Sequence, residues 1–341
     1  MRSLKANFLL VASICLSGAL VSQVSQAEIF TANQGTDVVG QNLTINTTYA
    51  DSFHSLADRY NIPYDVLVRA NPRISPTLPG DGTKVFIPGQ VVLPNVSHKG
   101  IIVNPPERRI YYFYGNNVAI FPIAVGAPES PTPTLQTRVT SKAINPTWNV
   151  PDEIYEEHIQ KNDPIPRVVP PGPENPLGDR AFKLAGTLTM IHGTNGPTSI
   201  GKRLSHGCIR LYPQDIRTLY SMVPVGTTVN LVNEPFKVGW LGGQLYLQAS
   251  APLQEANPGL QANMSKVRNL IAQETRGRDT NINWGLVQQL VQNPNDTATV
   301  INNSASDYVP TTTNGYNSKY NNKYNNNYNG RSYRHGSPVT Y

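Results

Sequence analysis

The chain has 341 residues, 39% of them hydrophobic and 15% charged, with 28 Lys and Arg against 22 Asp and Glu for a formal net charge of +6. That length supports about two or three domains with a sizeable core and excludes a wholly disordered chain. The positive balance does not mark a nucleic-acid binder: Arg2 and Lys5 precede the first acid, Glu28, and Lys319, Lys323, Arg331 and Arg334 follow the last, Asp307, so the body between them is formally neutral.

In chain order, Arg2 and Lys5 stand ahead of an apolar run from Phe8 to Val21, and Ser25 and Ala27 are small residues where a signal peptidase reads them. Residues 1–27 are therefore expected to be a cleavable export signal. The run is too short for a membrane span of about 20 residues, and no later segment is long and apolar enough to be one. A lipoprotein anchor at Cys15 is the weaker reading, because Ile14 stands where such signals want a small residue. Cleavage would remove Cys15 and leave Cys208 as the only cysteine, unable to form an internal disulfide. A lone thiol in an exported protein points to chemistry as readily as to packing.

Residues 44–88 read as one small unit. Asp51-Ser52 can cap a helix with Phe53, Leu56, Ala57 and Tyr60 at i, i+3, i+4 and i+7. A second helix over Tyr64 to Ala70 stops at Asn71-Pro72, and Lys84 to Ile87 can return to pair with Leu43 to Thr47. Residues 99–125 hold three strand-like runs, GIIVN, RRIYYFY and VAIFPIAVG, separated by turn residues, which predicts an antiparallel meander. Prolines crowd residues 128–176, and this stretch is expected to be a long stiffened loop over the sheet, where specificity would be set. Strand patterns resume at Phe182 to Leu184, Thr187 to Ile191 and Thr228 to Val232, with a helix over Asp215 to Met222. The fold class is mainly β, a sandwich or barrel. Residues 258–292 have helical periodicity, and from about residue 302 the chain becomes a tail of Asn, Tyr, Ser and Thr with too few aliphatic residues to order itself.

The densest chemical signal is IHGTNGPTSIGKRLSHGCIRL, residues 191–211. A thiolate nucleophile needs a base, and His192 and His206 accompany Cys208 here. Gly207 beside the thiol permits a tight turn in which successive N–H groups can face a developing oxyanion. Three other readings stand beside this one. His192, His206 and Cys208 could ligate zinc, although the spacing lacks a recognised ligand pair and a fourth ligand. A chymotrypsin-like or papain-like site would need an orienting Asn or Asp and family surroundings that are absent. A structural thiol among core histidines is the third.

The pattern H-G-T to S-H-G-C-I-R-L, with fifteen residues between His192 and Cys208, resembles the signature of the L,D-transpeptidase (YkuD-type) catalytic domain. The likeness extends to NPTW at 145–148, VVPPGPENPLG and VPVGT at 224–228. In order, these resemble the Gram-negative periplasmic ErfK/YbiS/YcfS/YnhG subgroup. Residues 44–88 similarly resemble the βααβ LysM module, with Ala50 in place of the usual glycine. The resemblance implies a signal peptide over 1–27, an N-terminal region over 28–96 with the LysM-like peptidoglycan-binding module, and a catalytic domain over 97–233. A C-terminal extension over 234–300 and a disordered tail over 301–341 would complete the chain. Arg210 stands where many members have Asn, and the tail has no counterpart in the pattern.

For function, the resemblance implies a periplasmic enzyme with no cofactor and no metal. Cys208 would attack the diaminopimelate carbonyl of a tetrapeptide stem, release D-alanine and form a thioacyl-enzyme. His192 would move the proton, oriented by the Gly193 carbonyl. Gly207, Cys208 and His206 would hold the oxyanion, Ser205 would shape the loop, and Arg210 would pair with a substrate carboxylate. The partners implied are peptidoglycan stem peptides and glycan, with an outer-membrane lipoprotein or barrel as one acyl acceptor, and neither nucleic acid nor a membrane span. An acceptor amine of another diaminopimelate gives a 3→3 cross-link, a protein amine gives a tether, and water gives L,D-carboxypeptidase activity. A non-catalytic wall-anchoring protein is the alternative from a different class.

Overall fold

The structure is a computed structural model that describes residues 28–32 and 35–302. The expected export signal and all of the tail beyond residue 302 lie outside the described residues. Among the described residues no helix is long and apolar enough to cross a membrane.

Nine strands form one sheet. From edge to edge they are Glu28–Thr31, Asn117–Pro122, Arg109–Tyr114, Gly100–Asn104, Thr228–Leu231, Leu135–Ile144, Arg180–Leu184, Met190–His192 and Ile209–Arg210. The expected meander over 99–125 is three adjacent antiparallel strands of this sheet. Only the pairs Thr228–Leu231 with Gly100–Asn104 and Met190–His192 with Ile209–Arg210 run parallel. The sheet curls until its last strand meets the chain that continues its second. Just beyond the strand Asn117–Pro122, Ala124 exchanges backbone hydrogen bonds of 2.9 and 3.0 Å with Arg210, and Val125–Gly126 pairs with Arg203–Ser205. Of the expected sandwich or barrel, the arrangement is the barrel-like one, with a seam at the residues around Cys208.

Alternation explains how both faces of this sheet are covered. Ile101 and Val103 point into an interior core with Ile110, Phe121, Phe182 and Ile209, while Ile102 between them joins an outer core with Tyr111, Val118 and Leu93. Each such side chain contributes about 1.5–3 kcal/mol on full burial. The helix Pro213–Met222 plugs the interior with Ile216 and Leu219, and Pro213 sits in its first turn where a missing N–H costs nothing.

The Pro-rich segment corrects the sequence expectation. In place of a loop over 128–176 there is a ten-residue strand, Leu135–Ile144, in the middle of the sheet, and a helix, Asp152–Gln160. The prolines punctuate these elements and do not interrupt them: residues 134–145 and 152–163 contain none, and Pro151 occupies the cap position before the helix. Trp148, Val150, Ile165, Val169 and Leu177 form a separate small core under the helix.

The strand–helix–helix–strand order expected near the N-terminus is present as Leu43–Asn46, Phe53–Arg59, Tyr64–Ala70 and Lys84–Ile87, with the outer strands paired antiparallel. Ser52 caps the first helix through a reciprocal bond with Ser55. The second ends at Asn71, whose amide donates to the carbonyls of Leu67 and Phe86 and whose oxygen accepts from Phe86 N–H, tying the helix end to the returning strand. At the far end of the chain, a hairpin of Phe236–Leu241 and Gln244–Ala249 with a third strand, Ala298–Val300, is covered by the helices Leu260–Glu274 and Trp284–Gln292. The sequence reading found the helices and missed the hairpin, although Gly242-Gly243 between two apolar runs marks it. Ile301, assigned to the tail, is fully buried in this core.

Candidate active site

The residues of the motif segment converge at the barrel seam. His192 ends the strand Met190–His192 and is 3% exposed; Arg210 is its partner on the adjacent parallel strand. The same register carries Cys208 to the level of Met190, whose N–H lies 3.4 Å from Sγ. Residues two apart on a strand share a face, so Cys208 and His192 project from the same side of the sheet. No hydrogen bond among the described residues joins them; the other contact of Sγ is the Leu188 carbonyl at 4.0 Å.

The His192 ring has a defined tautomer. Nδ1 lies 2.7 Å from the Gly193 carbonyl, an acceptor, so Nδ1 carries the hydrogen and Nε2 keeps a lone pair. Gly193 is tightly packed: a Cβ there would lie 3.2 Å from Ile216 and 3.3 Å from the Leu177 carbonyl. Burial pushes the His192 pKa down to about 3, with the Arg210 charge adding to the effect against the carbonyls of Gly193 and Leu177. Burial likewise raises the half-buried Cys208 thiol above its ordinary value, opposed by the Met190 N–H and Arg210. Arg210 itself is buried, which lowers its pKa against the pull of Cys208. The resting site therefore holds a neutral thiol and a neutral imidazole.

The loop before the thiol is built around Gly207, whose φ of +90° is a conformation that side chains other than glycine rarely adopt. Thr132 Oγ1 donates to the Gly207 carbonyl at 3.0 Å and accepts from Gly126 N–H at 2.9 Å. Buried Ser205 donates from Oγ to the Cys208 carbonyl at 2.5 Å. No acceptor among the described residues takes the N–H of Gly207 or Cys208. His206 points elsewhere: its Nε2 is 2.7 Å from Oε2 of Glu157, on the helix Asp152–Gln160.

The segment upstream is clamped from two sides. Gly201, at φ +84°, packs so closely on the N-terminal unit that a Cβ would fall 2.0 Å from the Tyr64 backbone nitrogen, and its carbonyl accepts from Asp65 N–H at 3.3 Å. Lys202 lies 4.4 Å over the Tyr64 ring, which stacks on His54 at 4.1 Å. On the other side, Arg203 donates to the Gly126 carbonyl and, in a bidentate pair, to Glu255 of the C-terminal extension.

The sequence reading named Ser205, His206, Gly207, Cys208, His192, Gly193 and Arg210, and all lie at this seam. It missed Glu157, Thr132 and Glu255, which come from distant parts of the chain; the one available signal was the proline-free, charge-rich DEIYEEHIQ. Among the described residues no three His, Cys, Asp or Glu side chains are grouped as metal ligands would be.

A family model described as the L,D-transpeptidase catalytic domain matches residues 98–231. The chain is 38% identical over 229 residues to the probable L,D-transpeptidase YcfS of Escherichia coli (strain K12), covering 65% of this chain and 72% of that protein. It is also 38% identical over 225 residues to the probable L,D-transpeptidase YbiS of the same strain, covering 64% and 73%. Among solved structures it is similar to the catalytic domain of the E. faecium L,D-transpeptidase, with 23% identity and a TM-score of 0.32, over 41% of this chain and 100% of that one.

Proposed function

The chain belongs to the L,D-transpeptidase family, and on that premise we propose that it is a cysteine acyltransferase acting on peptidoglycan stem peptides in the periplasm. Cys208 is the nucleophile and His192 its proton carrier. The observation that carries this is the register that sets Cys208, just before the strand Ile209–Arg210, beside Met190 and on the side of His192, with Nδ1 held by Gly193 and Nε2 left with its lone pair.

Sulfur attacks the diaminopimelate carbonyl of a tetrapeptide stem while its proton passes to Nε2 of His192. Burial disfavours the charged form of both groups, which supports proton transfer accompanying the attack. The carbonyl oxygen gains charge beside the N–H groups of Gly207 and Cys208, whose freedom from other acceptors supports their use as an oxyanion hole. The C–N bond to D-alanine breaks, the leaving amine takes the proton from His192, and a thioacyl-enzyme remains. An incoming amine then reverses these steps and frees the thiol. Ser205 and Thr132 hold the loop in shape, and Arg210 pairs with a stem carboxylate.

In this reading the chemistry lies within residues 97–233. The unit over 44–88 is a LysM-like module that engages the glycan, supported by its strand–helix–helix–strand order. Residues 1–27 are the export signal, and the acyl acceptor is a second diaminopimelate, an outer-membrane protein amine or water. Mass spectrometry of the protein with a carbapenem tests the core of the proposal: a covalent adduct is expected on wild type and none on Cys208→Ala, and an unchanged adduct on that variant refutes it. Muropeptide profiles of sacculi from a deletion strain identify the acceptor, through loss of 3→3 dimers, of protein-linked stems or of tripeptides.

A further inference from the structure

Glu255 lies outside the matched residues 98–231, in the short turn Gln254–Ala256 of the C-terminal extension. Its two oxygens take the Arg203 guanidinium as a fork, Oε2 at 2.9 Å from Nη1 and Oε1 at 2.5 Å from Nη2. A bidentate pair fixes the plane of a guanidinium and with it the direction of the third nitrogen. Here that nitrogen, Nε, donates to the Gly126 carbonyl at 3.1 Å. Gly126 N–H donates to Thr132 Oγ1 at 2.9 Å, and that hydroxyl donates to the Gly207 carbonyl at 3.0 Å. The joints have no slack: a Cβ on Gly126 would fall 2.3 Å from the Ser130 carbonyl oxygen and 2.4 Å from the Thr132 nitrogen. The turn with Glu255 is itself anchored. Fully buried Asp296 donates its N–H to the carbonyl of Ala249, where the preceding strand ends, and holds Arg69 of the N-terminal unit on its carboxylate at 2.5 Å.

Resting on the reading of Cys208 as nucleophile, we propose that Glu255 is a positioning residue of the acyl transfer, which acts through Arg203, Gly126 and Thr132 to aim the Cys208 N–H at the oxygen of the reacting carbonyl. The Gly207 carbonyl and the Cys208 N–H belong to one planar trans peptide and point opposite ways, so the hydrogen bond that holds the carbonyl also sets the N–H. An N–H that stabilises a developing oxyanion is sensitive to displacements of about 1 Å. The sulfur is held by a different contact, the Met190 N–H, which is no part of this relay. Loss of Glu255 therefore touches the oxyanion and spares the thiol.

Two reactions of the same thiol, run on the full chain, test this. Acylation by a carbapenem passes through an oxyanion, whereas alkylation by iodoacetamide displaces iodide at a saturated carbon and forms none. Glu255→Ala should slow acylation about tenfold and leave alkylation within about twofold of wild type. Glu255→Gln keeps one acceptor for the fork and should recover part of the lost rate. Thr132→Val cuts the relay nearer the thiol and should slow acylation at least as much. Adding Glu255→Ala to Thr132→Val should slow it no further, because links of one chain are not additive. Acylation of Glu255→Ala at the wild-type rate would overturn the proposal. So would losses that multiply in the double variant, or an alkylation rate that changes in step with acylation, since these mark independent or merely structural roles. An adduct that persists on Cys208→Ala would instead sink the underlying assignment of the nucleophile.

Discussion

At the scale of single residues, the electrostatics of the seam favour a thiol that is unreactive until substrate is present. Burial dominates for both partners, raising Cys208 and lowering His192, so the thiolate–imidazolium pair is not the resting form. The sign for Cys208 is direct: a raised pKa means less thiolate at any pH below it than an ordinary cysteine has. Alkylation by iodoacetamide should therefore be about threefold or more slower than for a free thiol near pH 8 and should keep rising beyond the usual midpoint of about 8.5. Arg210→Gln removes the one cation that opposes the shift and should displace the alkylation curve further upward, which a pH series read by mass spectrometry checks. Cys208 and His192, the proposed nucleophile and base, and Gly207 at positive φ were legible in the sequence because one short segment holds all three. Glu157 and Glu255 were not, since each acts across a tertiary contact that no spacing encodes.

At the scale of elements, the Pro-rich segment shows where composition misleads. Counting prolines over 128–176 predicts a loop, whereas their positions leave two uninterrupted windows that become a central strand and the helix bearing Glu157. The N-terminal helices were legible because capping residues and apolar spacing agree there, while the C-terminal hairpin was passed over in favour of the longer helical periodicity after it. A tight junction between units is Gly201 against Tyr64, and its need for glycine is both conformational and steric. Gly201→Ala should destabilise the protein by about 2 kcal/mol or more, because the clash is with backbone and cannot be relieved by a side-chain rotation. Thermal unfolding should register the loss, and limited proteolysis should cut between the N-terminal unit and the barrel faster than in wild type.

At the scale of the whole molecule, the C-terminal extension is bonded to the barrel through a buried ion pair on the outer-core side of the sheet. Lys237 of the hairpin is fully buried, with Glu107 at 2.7 Å and the Tyr111 hydroxyl at 3.0 Å, and Asn104 donates to the same carboxylate. Desolvation lowers the lysine's pKa, and Glu107 opposes that shift. Glu107 also has buried Arg109 at 3.8 Å, so Lys237→Met leaves the carboxylate only partly compensated and should cost at most about 3–5 kcal/mol in denaturant unfolding. The double variant Lys237→Met with Glu107→Gln should cost less than the sum of the two single variants, a non-additivity that a double-mutant cycle measures directly. The mainly β class and the order of the units were readable from pattern, whereas this internal tie was not, since a lone lysine in an alternating strand reads as a surface position.

The seam also bears on the order of events in folding. Ala124 and Arg210 come from distant parts of the chain, and their bridge closes the curled sheet between its last strand and the continuation of its second. Pairings of such wide separation carry a large loop-closure cost and are expected to form after the local meander. Ser205, Gly207 and Cys208 lie within the last stretch to be drawn in, so the reactive loop acquires its shape only as the barrel shuts. An incompletely folded chain then carries an ordinary thiol without the neighbours the proposed mechanism needs, and on that proposal the capacity for acyl transfer arrives with the completed fold.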